Sequence, residues 1–521
     1  MIDLLSPEAL PFLGLYAETH YRFPLFPFSR YFRREPEIIF DAPHRLQPGL
    51  PLPVTLIIKD ANHFPIELEE VVLTGHSTDG ATISTRFPIN RPMECTFWYA
   101  IYDFDLQSLA PGWVEIDCSL IFKNRGRRRV IRNDNHVGLS HAPLKVFHAE
   151  DPLPLFPGWQ AGELHCHTSY GPDYVEFGAP LEAIQRTSQA IGLSWAALTD
   201  HSYNLDDLQD DYLRQDPELI KWQLLQEEAL RLSQNGSVTL LPGEELTVRN
   251  SQGRNVHLII LGNKDFLHGS GDGAEEWLRT RSEWSISEAL KQISPEAFAV
   301  AAHPLVPTPP LEWLLVGRGE WHEDDLSLPR LDGWQIANGS WGVDFERGYE
   351  LWKTKLRSGR IVPIFAGNDA HGNFNRFRQV RLPMLKLWEH DRNLFGKFRT
   401  LVKTDARKPA EILQALKHSP VVISDGPALE LLHEGNSAVV RWKTTPEFGT
   451  VQSLSVIEGL DGTEINVAHG FSSTNLASAD GEFQFRTKGR YVRAELQSTT
   501  KAGQHFRALA IASNPEIASA S

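Results

Sequence analysis

Cysteine is scarce in this chain. Cys95, Cys118 and Cys166 are the three in 521 residues. They cannot all pair and lack zinc-finger spacing, so neither a disulfide framework nor a cysteine zinc module is expected to hold the fold. That scarcity fits a reduced, cytoplasmic setting. No apolar run approaches the roughly 20 residues that cross a bilayer, which speaks against a membrane partner. Met1 to Pro7 offers no basic start followed by an apolar core, so no secretory signal is expected. Positive charge is short as well: 51 Lys and Arg stand against 66 Asp and Glu, a net charge of -15, with a pI near 5.7. Binding a nucleic-acid polymer needs clustered cations, and none is expected here. The single basic run, Lys123 to Arg129, reads better as a solvated hairpin turn than as a phosphate-contacting loop. Internal repeats, low-complexity stretches and a Gly-x-Ser-x-Gly elbow are also missing, which disfavours a solenoid and a serine hydrolase.

What is there has the texture of soluble globular protein, 41% hydrophobic and 22% charged. The length suggests three or four domains. Residues 1–155 carry short alternating runs divided by Pro and Gly turns, such as Val54 to Ile58 and Thr96 to Ala100, the pattern of a β-sandwich. Residues 156–425 alternate strand-like and helical runs, which predicts βα units. The clearest helix runs from Pro180 to Ile191, with Gly192 as its stop. Residues 426–521 return to β texture. Two stretches interrupt the middle, Tyr203 to Asn235 and Val306 to Asp332. Each reads as a substrate-facing lid or as a packing flap.

Chemistry concentrates where the apolar runs of the middle segment end. Glu163-Leu164-His165-Cys166-His167 places two imidazoles on one side of a strand, because residues i and i+2 share a face. Trp195 to Leu198 leads into Thr199-Asp200-His201, and Val238 to Leu241 leads into Glu244-Glu245. His257 lies in a further run, Ala302-His303-Pro304 ends another, and Asp369-Ala370-His371 closes the series. One such histidine would be an ordinary core residue. Repeated at several strand ends beside carboxylates, the pattern predicts a site for more than one metal ion. Cys166 should face away from it by strand alternation.

These motifs resemble the PHP domain, the polymerase and histidinol phosphatase family. The match covers roughly half the chain, Glu163 to Gly426, with every motif in order. His165 and His167 fit its His-x-His, and Thr199, Asp200 and His201 its Thr-Asp-His. Pro242-Gly243-Glu244-Glu245-Leu246-Thr247 matches a Pro-Gly-x-Glu-x-Thr stretch. His257, Ala302-His303-Pro304 and Asp369-Ala370-His371 complete the set. Asn338-Gly339-Ser340-Trp341 and Ser424-Asp425-Gly426-Pro427 are similar to the stand-alone bacterial phosphoesterases and carbamate hydrolases of that family. The chain departs from their first motif, where Asp173 falls one position late.

The resemblance implies an α/β fold, a distorted (β/α)7 barrel flanked by amino- and carboxyl-terminal β-sandwich-like domains. It also implies two or three divalent ions of zinc, manganese or iron. His165, His167, Glu245 and Asp369 would hold the first ion, and Glu245 would bridge to a second held by His257 and His303. His201 and His371 would hold a third, with Asp173 as a further candidate. Asp200 is expected to orient a neighbouring imidazole. Asp369, His371 and His201 are the expected catalytic groups, with Arg378 (or Arg376) to clamp an anionic group. The implied activity is hydrolysis of a small phosphorylated molecule by metal-activated water. The substrate would be a small anionic or ester molecule. Carbamate, amide or ester hydrolysis is the alternative on the same centre, and a non-catalytic glycan- or partner-binding protein the second. An amidohydrolase barrel, which also opens on His-x-His, would want a bridging Lys and a lone terminal Asp.

Overall fold

The computed structural model describes residues 34–135, 141–171, 178–208, 211–271, 280–372, 374–375, 381–382, 385–386, 393–460, 462–467 and 478–513. The chain divides into two compact units. The first comprises Met1–Pro152, Pro172–Gly192 and Ala370–Phe395; the second comprises Leu153–Gly171, Leu193–Asp369 and Gly396–Ser521. Most residues of the two segments 156–425 and 426–521 thus lie together in the second unit.

In the first unit, β1 (Glu37–Asp41), β3 (Leu52–Lys59) and β6 (Phe97–Phe104) form one antiparallel sheet. A second sheet runs in the order β2 (Arg45–Leu46), β9 (Leu144–His148), β7 (Gly112–Asn124), β4 (Ile66–Ser77), β5 (Thr82–Met93), with β8 (Arg127–Arg132) paired to β7. Alternate residues of β4 and β7 are buried, as a half-covered strand requires. Ile38, Phe40 and Leu56 from one sheet share a core with Val71, Leu73, Ile116 and Leu120 from the other. The basic run Lys123 to Arg129 spans the ends of β7 and β8 and the turn between them, with Arg128 paired to Glu69 at 2.7 Å. Helix α1 (Leu181–Ile191) belongs to this unit and ends on Gly192 in the left-handed conformation, φ 97°. That geometry carries a steric penalty for any residue with a Cβ. A short hairpin, β19 (Arg381–Leu382) with β20 (Leu385–Lys386), is also grouped here.

The second unit is organised by a sheet of thirteen strands. Its first half comprises β10 (Trp159–Cys166), β11 (Trp195–Leu198), β14 (Thr239–Arg249), β15 (Asn255–Leu261), β16 (Phe298–Ala301), β17 (Gly333–Asn338) and β18 (Ile364–Gly367). On its other side β10 pairs with β21 (Arg399–Lys403), then come β22 (Val421–Ser424), β29 (His505–Ser513), β28 (Tyr491–Thr499), β25 (Thr450–Leu460) and β26 (Thr463–Asn466). A separate three-stranded sheet joins β23 (Ala428–Glu434), β24 (Ser437–Lys443) and β27 (Asp480–Arg486), and β12 (Asp207–Leu208) pairs β13 (Asp211–Gln215). Helices α2 (Ser202–Leu205), α3 (Ile220–Asn235), α4 (Ile286–Gln292), α5 (Pro310–Leu315), α6 (Val343–Arg357) and α7 (Pro409–His418) lie between strands. The start of α4 is set by a capping box in which Ser285 and Glu288 satisfy each other's backbone N–H groups.

The expected (β/α)7 barrel flanked by two sandwich domains is therefore corrected. Strands dominate the described residues, and the backbone ladder of the large sheet stops at β18 and β26. Its pairing is mixed. β10, β11 and β14 run parallel, as do β16, β17 and β18, but β14–β15 and β15–β16 are antiparallel. The first reversal needs no helix: Gly253, at φ 77°, turns β14 directly into β15. Past β10 every pairing is antiparallel, so strands expected in a separate carboxyl-terminal domain extend the same sheet. Apolar runs reveal buried strands; they do not reveal which neighbour each strand takes or in which direction.

The first half of the sheet curls so that β18 returns to β10 and β21 through side chains. Thr400 Oγ1 accepts from Ala366 N at 2.9 Å and donates to Ala366 O at 2.8 Å. Gly367 lies so close to β10 that an added Cβ would stand 2.8 Å from the His165 Cβ. Another close approach is Gly162, where a Cβ would fall 2.0 Å from the Trp195 ring. Gly162→Ala must displace a fully buried indole from the strand beside it. It is expected to lower the urea midpoint by the equivalent of about 1–3 kcal/mol, the usual cost of overpacking.

Candidate metal centre

The curl brings the ends of separated strands together around one carboxylate. Glu245, in β14, is completely buried. Its amide N–H donates to Asp200 O at 2.9 Å, which ties the Thr199-Asp200-His201 segment beside it. Oε1 lies 2.8 Å from His257 Nδ1 and 3.1 Å from His303 Nε2. Oε2 lies 3.1 Å from His201 Nδ1, 3.3 Å from His165 Nε2 and 3.4 Å from His167 Nε2. Five imidazoles thus crowd one acid. Asp369 joins them, its Oδ1 3.1 Å from His167 Nε2 and 3.3 Å from His165 Nε2.

The electrostatics follow from that crowding. Burial opposes ionisation of Glu245, but His257, His165 and His201 outweigh it and hold the carboxyl well below its usual range. Asp369 is held low in the same way, against burial, chiefly by His165 and His167. Burial likewise opposes a charge on His165, yet Glu245 and Asp369 raise its pKa to about 9. For His303 burial prevails and its pKa falls below 6.5, leaving a neutral ring.

Hydrogen bonds show what the site lacks in protein atoms alone. The Gln335 amide donates from Nε2 to Asn338 Oδ1 at 3.0 Å, so its Oε1 faces His165 and accepts from Nδ1 at 2.9 Å. In the neutral ring Nε2 then carries a lone pair aimed at two carboxylate oxygens and at His167 Nε2, 3.3 Å away. Lone pairs facing carboxylates repel unless a proton or a cation lies between them. Glu245 Oε2 is buried and accepts no hydrogen bond, despite three imidazoles nearby. Such an orphaned anion is costly without a compensating charge. The donor set of imidazole nitrogens and carboxylate oxygens suits zinc, iron or manganese. Within the second unit, two groups of candidate ligand atoms lie within 4.8 Å of one another: His165, Glu245, His303 and Asp369 in one, His201, Glu245 and His257 in the other. The residues fit metal ions.

This partition differs from the one the motifs implied. His303 groups with His165 while sharing Glu245 Oε1 with His257, and His201 joins Glu245 and His257. His167 stands beside both Asp369 and Glu245. His371 belongs to the first unit, where it is partly buried. Arg376, Arg378 and Asp173 lie outside the described residues. Asp200 accepts from Thr168 N at 2.6 Å and from Thr168 Oγ1 at 2.9 Å, which pins the turn after His167. Glu244 accepts from Ser202 Oγ and the Leu267 amide, away from the cluster. Cys166 Sγ donates to Ala197 O, and burial raises its pKa, so it is no nucleophile.

Three supporting residues escaped the sequence reading. Gln335 orients His165, and Asn368 and Glu163 brace Asp369, whose φ of 51° is a strained value for a non-glycine residue. Glu163, fully buried, accepts from His165 N at 3.0 Å, Asn368 N at 2.9 Å and Gly396 N at 2.8 Å. Asn368 also donates to Phe398 O and accepts from Phe398 N. A usable signal existed for Glu163, a carboxylate two residues before His165 on the same strand face. Gln335, 170 residues away, had none. Gln335→Leu removes the acceptor that fixes the His165 tautomer. It is expected to weaken zinc affinity roughly 10–100-fold, as measured by chelator competition, and to lower the urea midpoint because His165 Nδ1 loses its buried partner.

No protein-family model and no curated protein matches this chain. Among solved structures it is similar to a calcium-binding mutant of Bacteroides uniformis β-glucuronidase 2, at 11% identity and a TM-score of 0.18, covering 92% of this chain and 60% of that one. A Parabacteroides merdae β-glucuronidase follows at 9% identity and a TM-score of 0.16, covering 92% and 77%. A Paenibacillus cycloisomaltooligosaccharide glucanotransferase aligns at 10% identity and a TM-score of 0.18, covering 91% and 70%. Superpositions this loose define neither a shared fold nor a shared activity. The expected phosphoesterase activity is corrected all the same. None of these comparisons is with a phosphoesterase. The carbamate, amide and ester alternatives gain no support either. Among the described residues no helix is long and apolar enough to cross a membrane.

Proposed function

We propose that this chain is a metal-dependent hydrolase whose centre is built around Glu245. The observation that carries the reading is the placement of five imidazole nitrogens within 3.4 Å of the two oxygens of one buried carboxylate. Glu245 would bridge two divalent ions of zinc, manganese or iron. His165, His303 and Asp369 would complete one set of ligands and His201 and His257 the other, with His167 beside the first. When bound, such ions supply Lewis acidity and a water acidic enough to react near neutral pH.

The protein's own contribution is order. Gln335 keeps a lone pair of His165 turned inward, Glu163 and Asn368 hold Asp369 in its strained conformation, and Asp200 pins the turn behind His167. His201 is partly buried and stacked on Tyr203 at 4.6 Å, which fixes its ring beside Glu245. The test loads metal-stripped protein with zinc, manganese or iron(II). Metal is counted by mass spectrometry, and hydrolysis is screened with p-nitrophenyl glycosides, esters and phosphates. About two ions per chain and metal-dependent release from one chromogenic class are expected. Absence of metal uptake would sink the proposal.

A further inference from the structure

A cavity of about 240 Å³ opens directly beside the centre. His257 and His303, the two rings on Glu245 Oε1, form part of its lining, so an occupant lies against two of the candidate ligands. Pro304, Val306, Pro307 and Trp321 supply apolar wall, while Thr308, Glu312 and Arg318 supply the polar groups. The volume falls just under the roughly 300–1,000 Å³ of pockets for drug-sized ligands, so it suits one ring.

The walls are already in place. Trp321 is 4% exposed, and its indole N–H is spent on His257 O at 3.2 Å, so it offers only carbon to a ligand. The polar rim is laced to β15 through its backbone. Asn255 N donates to Gly317 O at 2.9 Å, Gly319 N to Asn255 O at 2.8 Å, and Arg318 N to Glu312 O at 3.2 Å. Little ordering remains to be done on binding, which favours affinity.

Charge decides the ligand class. Arg318 Nε and Glu312 Oε2 face each other at 3.7 Å, with side chains 32% and 45% exposed. A pair this loose contributes little to stability, and its charges cancel, so an anion gains no net attraction from it. Hydroxyl groups both donate and accept. Neighbouring hydroxyls can therefore engage the guanidinium and the carboxylate at once, while a C–H face rests on proline and tryptophan carbon.

We infer that this cavity is a subsite for one neutral polyhydroxylated ring, a pyranose or a cyclic polyol, read by Glu312, Arg318 and Thr308. The inference deepens the hydrolase reading, on which it rests only for the ligand's position beside the centre. Binding itself needs no metal. The test titrates the full chain by calorimetry, with and without zinc, against methyl pyranosides, myo-inositol, benzoate and inorganic phosphate. At least one neutral ring is expected to bind saturably in both states. Glu312→Ala and Arg318→Ala should each weaken it about tenfold, and Val306→Trp, which fills the cavity, should abolish it. An unchanged urea midpoint shows that the variants are folded. No binding of any neutral ring, tighter binding of benzoate or phosphate by the zinc-free chain, or unchanged binding by Val306→Trp would each overturn the inference. Zinc uptake without ring binding sinks the subsite alone. Ring binding without zinc uptake upholds the subsite and sinks the metal reading.

Discussion

Glu245→Gln is expected to purify with well under one metal ion per chain and to lose activity far beyond the roughly 10–100-fold of an outer-shell change. The amide is nearly isosteric, so sterics do not explain the loss. What disappears is the negative charge that both proposed ions share and toward which five imidazoles point. Only Asp369 then remains, and its oxygen reaches His165 and His167. In metal-free protein the same substitution leaves the raised basicity of His165 without its principal source. Breaking a buried charge pair by removing one partner costs about 3–5 kcal/mol, so the urea midpoint of the metal-free variant should also drop. Wild-type metal stoichiometry in Glu245→Gln, by mass spectrometry, would refute the bridging role.

Metal uptake by the stripped protein is expected to expel a proton and to tighten as pH rises. His165 has its pKa raised from 6.5 to about 9, so in the metal-free cluster it is protonated at neutral pH. A proton there competes with an ion for the same nitrogen. Apparent affinity should climb about tenfold per pH unit up to about 9 and then level off. His303, with its pKa lowered, presents a neutral nitrogen and adds no such slope. The stability of the metal-free protein should move the other way. A raised histidine pKa contributes stability in full below the unfolded value of 6.5, and that contribution is lost as pH rises through about 9. Burial raises Glu163 to about 7 and Glu244 to about 8. Their native-state preference for the proton likewise fades above 4.5 and is gone past those values. Calorimetry in buffers of differing ionisation enthalpy counts the protons released. An affinity flat from pH 6 to 9 would contradict the charge state assigned to His165.

Much of the site was legible because its signals are local. His165 and His167 share a strand face by the period-2 rule, and the rule also turns Cys166 away, as its bond to Ala197 O shows. Helix α1 and its Gly192 stop were readable for the same reason: amphipathic spacing and a left-handed cap are properties of a dozen consecutive residues. The partition of ligands was not legible. His303 stands with His165 because β16 is separated from β10 by three strands that curl, and no spacing encodes curvature. The contribution of Gln335 depends on a strand 170 residues distant, so it carried no local mark.

By itself, then, the order of residues determined which side chains were available for chemistry and which segments would be strands, since both follow from neighbours within one or two turns or pleats. Only the tertiary structure decided the direction of those strands, the single sheet uniting the middle and the carboxyl-terminal segments, and the cavity beside His257 and His303. Those outcomes are set by which backbone edges find each other and how far the sheet twists, energies that belong to the packed whole and to no stretch of chain.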